Sequence, residues 1–196
     1  MNERFQRAIA LIDAANAQDP RHELINTEKI PQELLYSQRL TDWVLRLNPN
    51  ASEALRLAAR SQHICRWKIP RANYPPTKAG YHLWKNELKR FHADETEQIL
   101  KEAGYPPEVI ARVRALNLKQ DSDDESRTLE DALCLMFLEF QHADLAQRSA
   151  AEKVINALRK SWSKMTPTGR AAALKLKFGA REREILSVAL STQVLS

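Results

Sequence analysis

The stretch Arg60-Ser61-Gln62-His63-Ile64-Cys65-Arg66-Trp67-Lys68-Ile69-Pro70-Arg71 places more chemistry in one turn-and-exit segment than a helix end requires. A plain C-terminus needs a glycine or asparagine and one or two cations. Here a histidine, a cysteine, a tryptophan and several basic side chains follow the apolar run Ala54-Leu55-Arg56-Leu57-Ala58-Ala59. A histidine beside arginines and an aromatic ring suits a small anionic ligand, a metal or a proton transfer. The structural alternative is that Trp67 and Ile69 plug the core while Arg60, Arg66 and Arg71 are solvated.

Two constellations extend from this segment. The first is an anion site: Arg39, Arg66, Arg71 and Lys78 fall around the loop that leaves His63, with Gln62 beside it. Guanidinium forks with walls from Trp67, Tyr74, Tyr81 and Trp84 would suit a phosphate or a nucleotide base. The same arginines could instead pair with Glu33, Asp42 or Glu87. The second is a metal site. His63, His92, Glu95 (one turn after His92) and Glu139 could hold Zn, Mn or Fe with an open position for water. Glu130 and Asp131 would be further ligands or a base, giving His63, His92, Glu130 and Asp131 as the catalytic set. Against this, Glu130 and Asp131 follow Thr128 in a first helical turn, where carboxylates complement the dipole without any chemistry.

Nucleophilic catalysis has thinner support. Cys65 and Cys134 sit in apolar helical surroundings that suit inert reduced thiols. Ser61 is too close to His63 along the chain to form a triad, and no nucleophile elbow occurs. The basic run Lys160 to Met165, with Arg170, Lys175 and Lys177, could touch RNA or be a solvated helix face.

The elements that must position these residues are helical. The chain has 196 residues, 43% of them hydrophobic and only four glycines, a balance that predicts an all-α protein with a sizeable core. A net charge of +5 with a pI near 9.3 is compatible with an anionic partner but too dispersed to point to nucleic acid. No apolar run approaches membrane-spanning length and the first residues open an amphipathic helix, so the expectation is a cytoplasmic protein without a membrane partner. Helical spacing of Phe5, Ala8, Ile12 and Ala15 makes the first helix, and the polar segment from Gln18 to Lys29 is expected to be a loop. Pro31 starts a second helix, and Asn50 with Glu53 suggests a cap for a third that runs to about Cys65. A long helix is expected over Lys78 to Ala103, ended by Gly104, and another starts at Pro106-Pro107. An acidic loop, Gln120 to Arg127, precedes a central helix from Thr128, and further helices start at Thr166-Pro167 and after Gly179.

In order, Leu57-Ala58-Ala59 with Gln62-His63-Ile64-Cys65, then His92, Gly104-Tyr105-Pro106 and Leu129-Glu130-Asp131, resembles the layout of HD-domain phosphohydrolases. Gln62 stands where those enzymes place His, His63 where they place Asp, and Tyr36-Ser37-Gln38 where the first ligand His is expected. A closer resemblance covers nearly the whole chain. Leu35 to Arg39, Gln62 to Trp67, Pro70-Arg71, Tyr74-Pro75, Gly80-Tyr81 with Trp84, Phe91-His92-Ala93, Leu129 to Asp131 and Trp162 to Met165 carry it. The chain is similar to a bacterial and fungal family bearing a domain of unknown function, some members of which are labelled glutamyl-tRNA-synthetase-like. The nucleotide motifs of synthetases are absent. Together the resemblances imply one all-helical domain over 1–196, with an HD-like portion about 31–145 and a C-terminal helical layer about 149–190. They imply a His- and Arg-rich pocket that binds or hydrolyses a phosphate-bearing small molecule or nucleotide, with a divalent metal if it is a phosphohydrolase. The alternative is a non-catalytic HD-derived module that binds a ligand or RNA, or an assembly protein such as a homodimer.

Overall fold

The computed structural model describes residues 2–191, and within them ten α-helices and one small hairpin confirm the all-α class. Helix α1 (Glu3–Asn16) turns Phe5, Ala8, Ile12 and Asn16 inward at helical spacing, with Asn2 as its N-cap.

The polar segment that follows is not the loop its composition suggests. It forms antiparallel strands β1 (His22–Ile25) and β2 (Glu28–Pro31), joined through Asn26 at φ 58°, a left-handed conformation that asparagine tolerates. A knot of charges fastens the hairpin. Arg21 donates to Asp19 through Nε (3.0 Å) and to Glu33 (2.8 Å), while the Glu33 amide donates to Asp19 (3.1 Å). The segment is polar because its side chains bond to partners across the hairpin, and periodicity alone does not show such partners.

Helix α2 (Gln32–Leu47) follows directly. The cap of α3 (Glu53–Ser61) is Ser52, whose hydroxyl accepts from the Leu55 amide at 3.1 Å, and Asn50 instead forms a turn with Asn48. Helix α3 stops at Ser61, short of the expected Cys65. Cys65 adopts a left-handed φ of 52°, and its amide donates to the Asn16 side chain at 3.1 Å, which turns the chain away from the helix axis. Two short 3₁₀ turns, Arg66–Lys68 and Arg71–Asn73, lead to the long helix α4 (Lys78–Glu102).

Gly104, at φ 82°, ends α4 as expected, and α5 (Pro107–Leu118) begins on a proline. Helix α6 (Asp124–Met136) starts ahead of the expected Thr128, because Asp123 caps it by accepting from the Ser126 amide at 2.9 Å. It is central, with Leu129, Ala132, Cys134, Leu135 and Met136 buried. A π turn at residues 137–141 joins it to α7 (His142–Arg148). Helices α8 (Ala151–Lys164), α9 (Pro167–Ala173) and α10 (Ala180–Ser191) follow, with α10 packed on α8 and α9 on α6. One apolar cluster runs from Phe5 through Leu55, Leu100, Val113 and Leu135 to Ala189. Among the described residues no helix is long and apolar enough to cross a membrane.

Candidate functional site

The turn after α3 and the middle of α4 bring His63 and His92 together, with ring centroids 6.1 Å apart and planes tilted by 51°. His92 is 3% exposed. Its Nδ1 lies 2.7 Å from the Ile64 carbonyl, and a carbonyl can only accept, so the proton sits on Nδ1 and Nε2 carries a lone pair. That Nε2 is buried and has no partner. Burial pushes the His92 pKa down to about 4, the Ile64 bond opposes this, and the Arg66 charge adds to the fall. The ring is neutral at physiological pH.

His63 keeps part of its surface open to solvent, yet protein packs densely around it. Burial holds its pKa well below the usual range, and Arg66, His92, Lys119 and Lys85 push the same way. The half-buried ring marks a recess, and the charges that act on it are mostly cationic.

Three elements supply those cations, and a fourth adds Lys164, whose charge acts on Lys85. Arg66 comes from the first 3₁₀ turn and stacks on Trp84, 4.9 Å from the ring centroid. Trp84 is held in turn by donating from Nε1 to the Ile69 carbonyl at 2.9 Å. Lys85, on α4, lies 5.6 Å from the Tyr81 ring centroid and has no ion-pair partner among the described residues. Burial lowers its pKa, and the charges of Lys119, Lys164 and Arg66 lower it further against the opposing pull of Glu130. Lys119 is the left-handed C-cap of α5, and Lys164 closes α8.

Lys119 and Lys164 share one carboxylate, Glu130 on α6; the Lys164 contact is 2.8 Å. Burial raises the Glu130 pKa, but the two ammoniums outweigh it and hold the group at about 2. A cavity of about 200 Å³ is lined by this trio with Leu116, Asp121, Ser122, Ser126, Arg127 and Leu129.

Two more polar groups near the recess lack partners. Gln62, 4% exposed at the end of α3, buries Oε1 without a hydrogen bond. Glu33, 1% exposed, leaves Oε2 unpaired; burial pushes its pKa up to about 7 against the pull of Arg66 and Arg21.

The remaining candidates from the sequence are engaged elsewhere. Arg39 pairs with Glu23 at 3.0 Å and stacks 4.1 Å over the Phe140 ring, tethering the hairpin. Arg71 donates to the Tyr74 and Pro75 carbonyls, both at 2.8 Å, and so shapes its own loop. Trp67 packs against the core and Tyr74 lies near Glu87, whereas Tyr81, 42% exposed, stands beside Trp84 and Lys85 at the edge of the recess. Asp131 is a structural lock: its carboxylate accepts from the Thr166 amide at 2.8 Å and from the Thr166 hydroxyl, fixing the start of α9. Gly169 packs so closely on Asp131 that a Cβ there would collide with the carboxylate.

The expected metal set does not assemble. Glu95 faces Lys68 at 3.6 Å, and Glu139 accepts from Trp43 Nε1 at 2.8 Å. Among the described residues no three His, Cys, Asp or Glu side chains converge into a group able to hold a metal ion. Arg66, Lys85 and Lys119 around His63 would also repel a divalent cation. The thiols are poor nucleophiles, since burial raises the pKa of Cys65 and pushes that of Cys134 up to about 12.

Sequence reading missed Lys85, Lys119 and the pairing of Lys164 with Glu130. Lys164 was visible only as one member of a basic run, and nothing local sets Lys85 or Lys119 apart from other surface lysines.

No curated protein and no solved structure matches this chain. A family model described as a domain of unknown function, DUF4202, matches residues 6–186, from within α1 into α10 and across every residue of the recess. The chain therefore belongs to the DUF4202 family.

Proposed function

We propose that the recess over His63 binds a small phosphate-bearing molecule, with Arg66, Lys85, Lys119 and Lys164 as its anion-holding groups. The observation that carries this reading is the charge imbalance. Arg66, Lys85 and Lys119 act on the neutral His63 imidazole and Lys164 acts on Lys85, Lys85 lacks an ionic partner among the described residues, and one carboxylate is divided between two lysines. Holding like charges together is unfavourable unless a counter-charge offsets it, and a phosphate dianion is such a counter-charge. The recessed position favours a small ligand over RNA, which is usually held by an exposed basic groove with stacking platforms.

Kinship with HD phosphohydrolases belongs to this reading, supported by the order of His63, His92, Gly104-Tyr105-Pro106 and Asp131. The metal those enzymes use finds no ligand set here, so the reading involves no metal-assisted step. If the bound phosphate is hydrolysed, His63 is the group able to take a proton from the attacking water. Burial and the surrounding cations keep it unprotonated at neutral pH.

The test is calorimetric titration of the protein with inorganic phosphate and with adenosine monophosphate, repeated on a Lys85→Ala, Lys119→Ala double variant. Saturable binding that the double variant loses is the expected result. Unchanged binding in that variant, or none in the wild type, would remove the reading.

A further inference from the structure

The cations account for an anion, but two other groups at the recess are suited to a different partner. His92 Nε2 is an acceptor, because Nδ1 already carries the proton that it gives to the Ile64 carbonyl. Gln62 Oε1 is an acceptor by nature. Both are buried and unpartnered, on side chains 3% and 4% exposed. An unsatisfied buried acceptor forfeits its hydration with nothing in return, so such atoms usually have a partner.

A bare oxyanion cannot be that partner. Its oxygens are acceptors too, and lone pair would face lone pair. Protonating His92 would make it a donor, but burial and the Arg66 charge oppose that. The missing groups are hydrogen-bond donors, and His92 lies beside His63, on which the cations act.

Resting on the anion reading above, we infer that the ligand is a phosphate monoester whose organic part carries hydroxyl donors, of the sugar- or polyol-phosphate class. Its phosphate faces Arg66, Lys85, Lys119 and Lys164, and its hydroxyls donate to Gln62 Oε1 and His92 Nε2. The arrangement discriminates against simple alkyl phosphate dianions, which leave both acceptors bare, and less against inorganic phosphate, which keeps a P–OH donor near neutral pH. Nearby Asn117 belongs to the same polar layer. It donates from Nδ2 to Ser61 and Thr96 at 3.1 and 3.3 Å, and Thr96 donates to the His92 carbonyl, so the helix turn carrying His92 is braced from behind.

The experiment compares three probes by calorimetry on the full chain: inorganic phosphate, methyl phosphate and ribose 5-phosphate. The expected result is that ribose 5-phosphate binds about tenfold tighter than methyl phosphate, as one or two added hydrogen bonds allow. In Gln62→Met, which keeps the side-chain volume and removes the acceptor, that advantage should shrink several-fold while methyl phosphate affinity holds. Circular dichroism checks that the variant is folded, and His92→Gln, which keeps an acceptor, serves as the second variant and should retain part of the advantage. Equal affinity for methyl phosphate and ribose 5-phosphate in the wild type would overturn the inference and leave the anion reading standing, with water satisfying the two acceptors. Failure of all three probes to bind would overturn both.

Discussion

The Asp131 lock and the His63 recess lie on the same central framework and treat polar groups in opposite ways. At Asp131 a carboxylate 3% exposed is used up by the Thr166 amide and hydroxyl, and Gly169 leaves no room for anything else. At His63 the cations outnumber the carboxylates, and Gln62 and His92 keep acceptors without partners. A satisfied polar cluster holds helices together, whereas an unsatisfied one has capacity left for a ligand. Residue type does not separate the two, since Asp131 and Glu130 are neighbours in sequence and serve different ends.

The sharpest way to break the contrast is at the lock. Asp131→Ala should lower stability by about 3 kcal/mol, because it strands the Thr166 donors and frees the start of α9. Urea unfolding measures this, and a loss below about 1 kcal/mol would mean the lock contributes little. Phosphate affinity, by contrast, should change little in the molecules that remain folded.

Next in size is a pH effect at the edge of the recess. The Glu33 pKa is raised from 4.5 to about 7 by burial, despite Arg66 and Arg21. The folded state therefore holds a proton that the unfolded chain has already released. The stability tied to that proton is full below about pH 4.5 and is lost as pH rises through about 7. Glu33→Gln should flatten this slope, so that relative to the wild type the variant gains roughly 2 kcal/mol between pH 5 and pH 8. His92 works in the other direction, its contribution being lost as pH falls through about 4, and it cancels when variant and wild type are compared at each pH. A variant whose pH profile parallels the wild type would show that Glu33 titrates normally.

The two smaller effects concern the recess itself. Lys85→Ala removes the cation without an ionic partner and should weaken phosphate binding about tenfold with little change in melting temperature. If stability falls and affinity does not, Lys85 is scaffold. Glu130→Gln takes the shared carboxylate from Lys119 and Lys164 and should tighten phosphate binding by a few-fold, more at low salt than at high. Weaker binding would show that Glu130 positions the lysines rather than competing with the ligand for them.

Much of the framework was legible in the chain. Pro107, Gly104 and Thr166-Pro167 mark helix boundaries because each restricts the backbone or caps an amide locally. The hairpin was not legible, because the partner that makes Asp19 and Arg21 a buried knot is Glu33, beyond the second strand. Of the site, His63, Gln62, Arg66 and His92 were named from the sequence, and His63 and His92 do meet. Glu95, Glu139, Arg39 and Arg71 were named on equal grounds and point to other partners.

The sequence by itself determined the helical class, most of the helix boundaries and the concentration of reactive side chains after α3, since propensity, capping and periodicity act within a few residues. Only the tertiary structure decided which of those side chains share a recess. It brought Lys85 and Lys119 to His63, set Lys164 on Glu130 beside Lys119, and committed Asp131 to α9. It also left the Gln62 and His92 acceptors buried without a bond. The physical reason is that charge, burial and hydrogen-bond satisfaction depend on distances in space, and packing sets those distances between segments far apart along the chain.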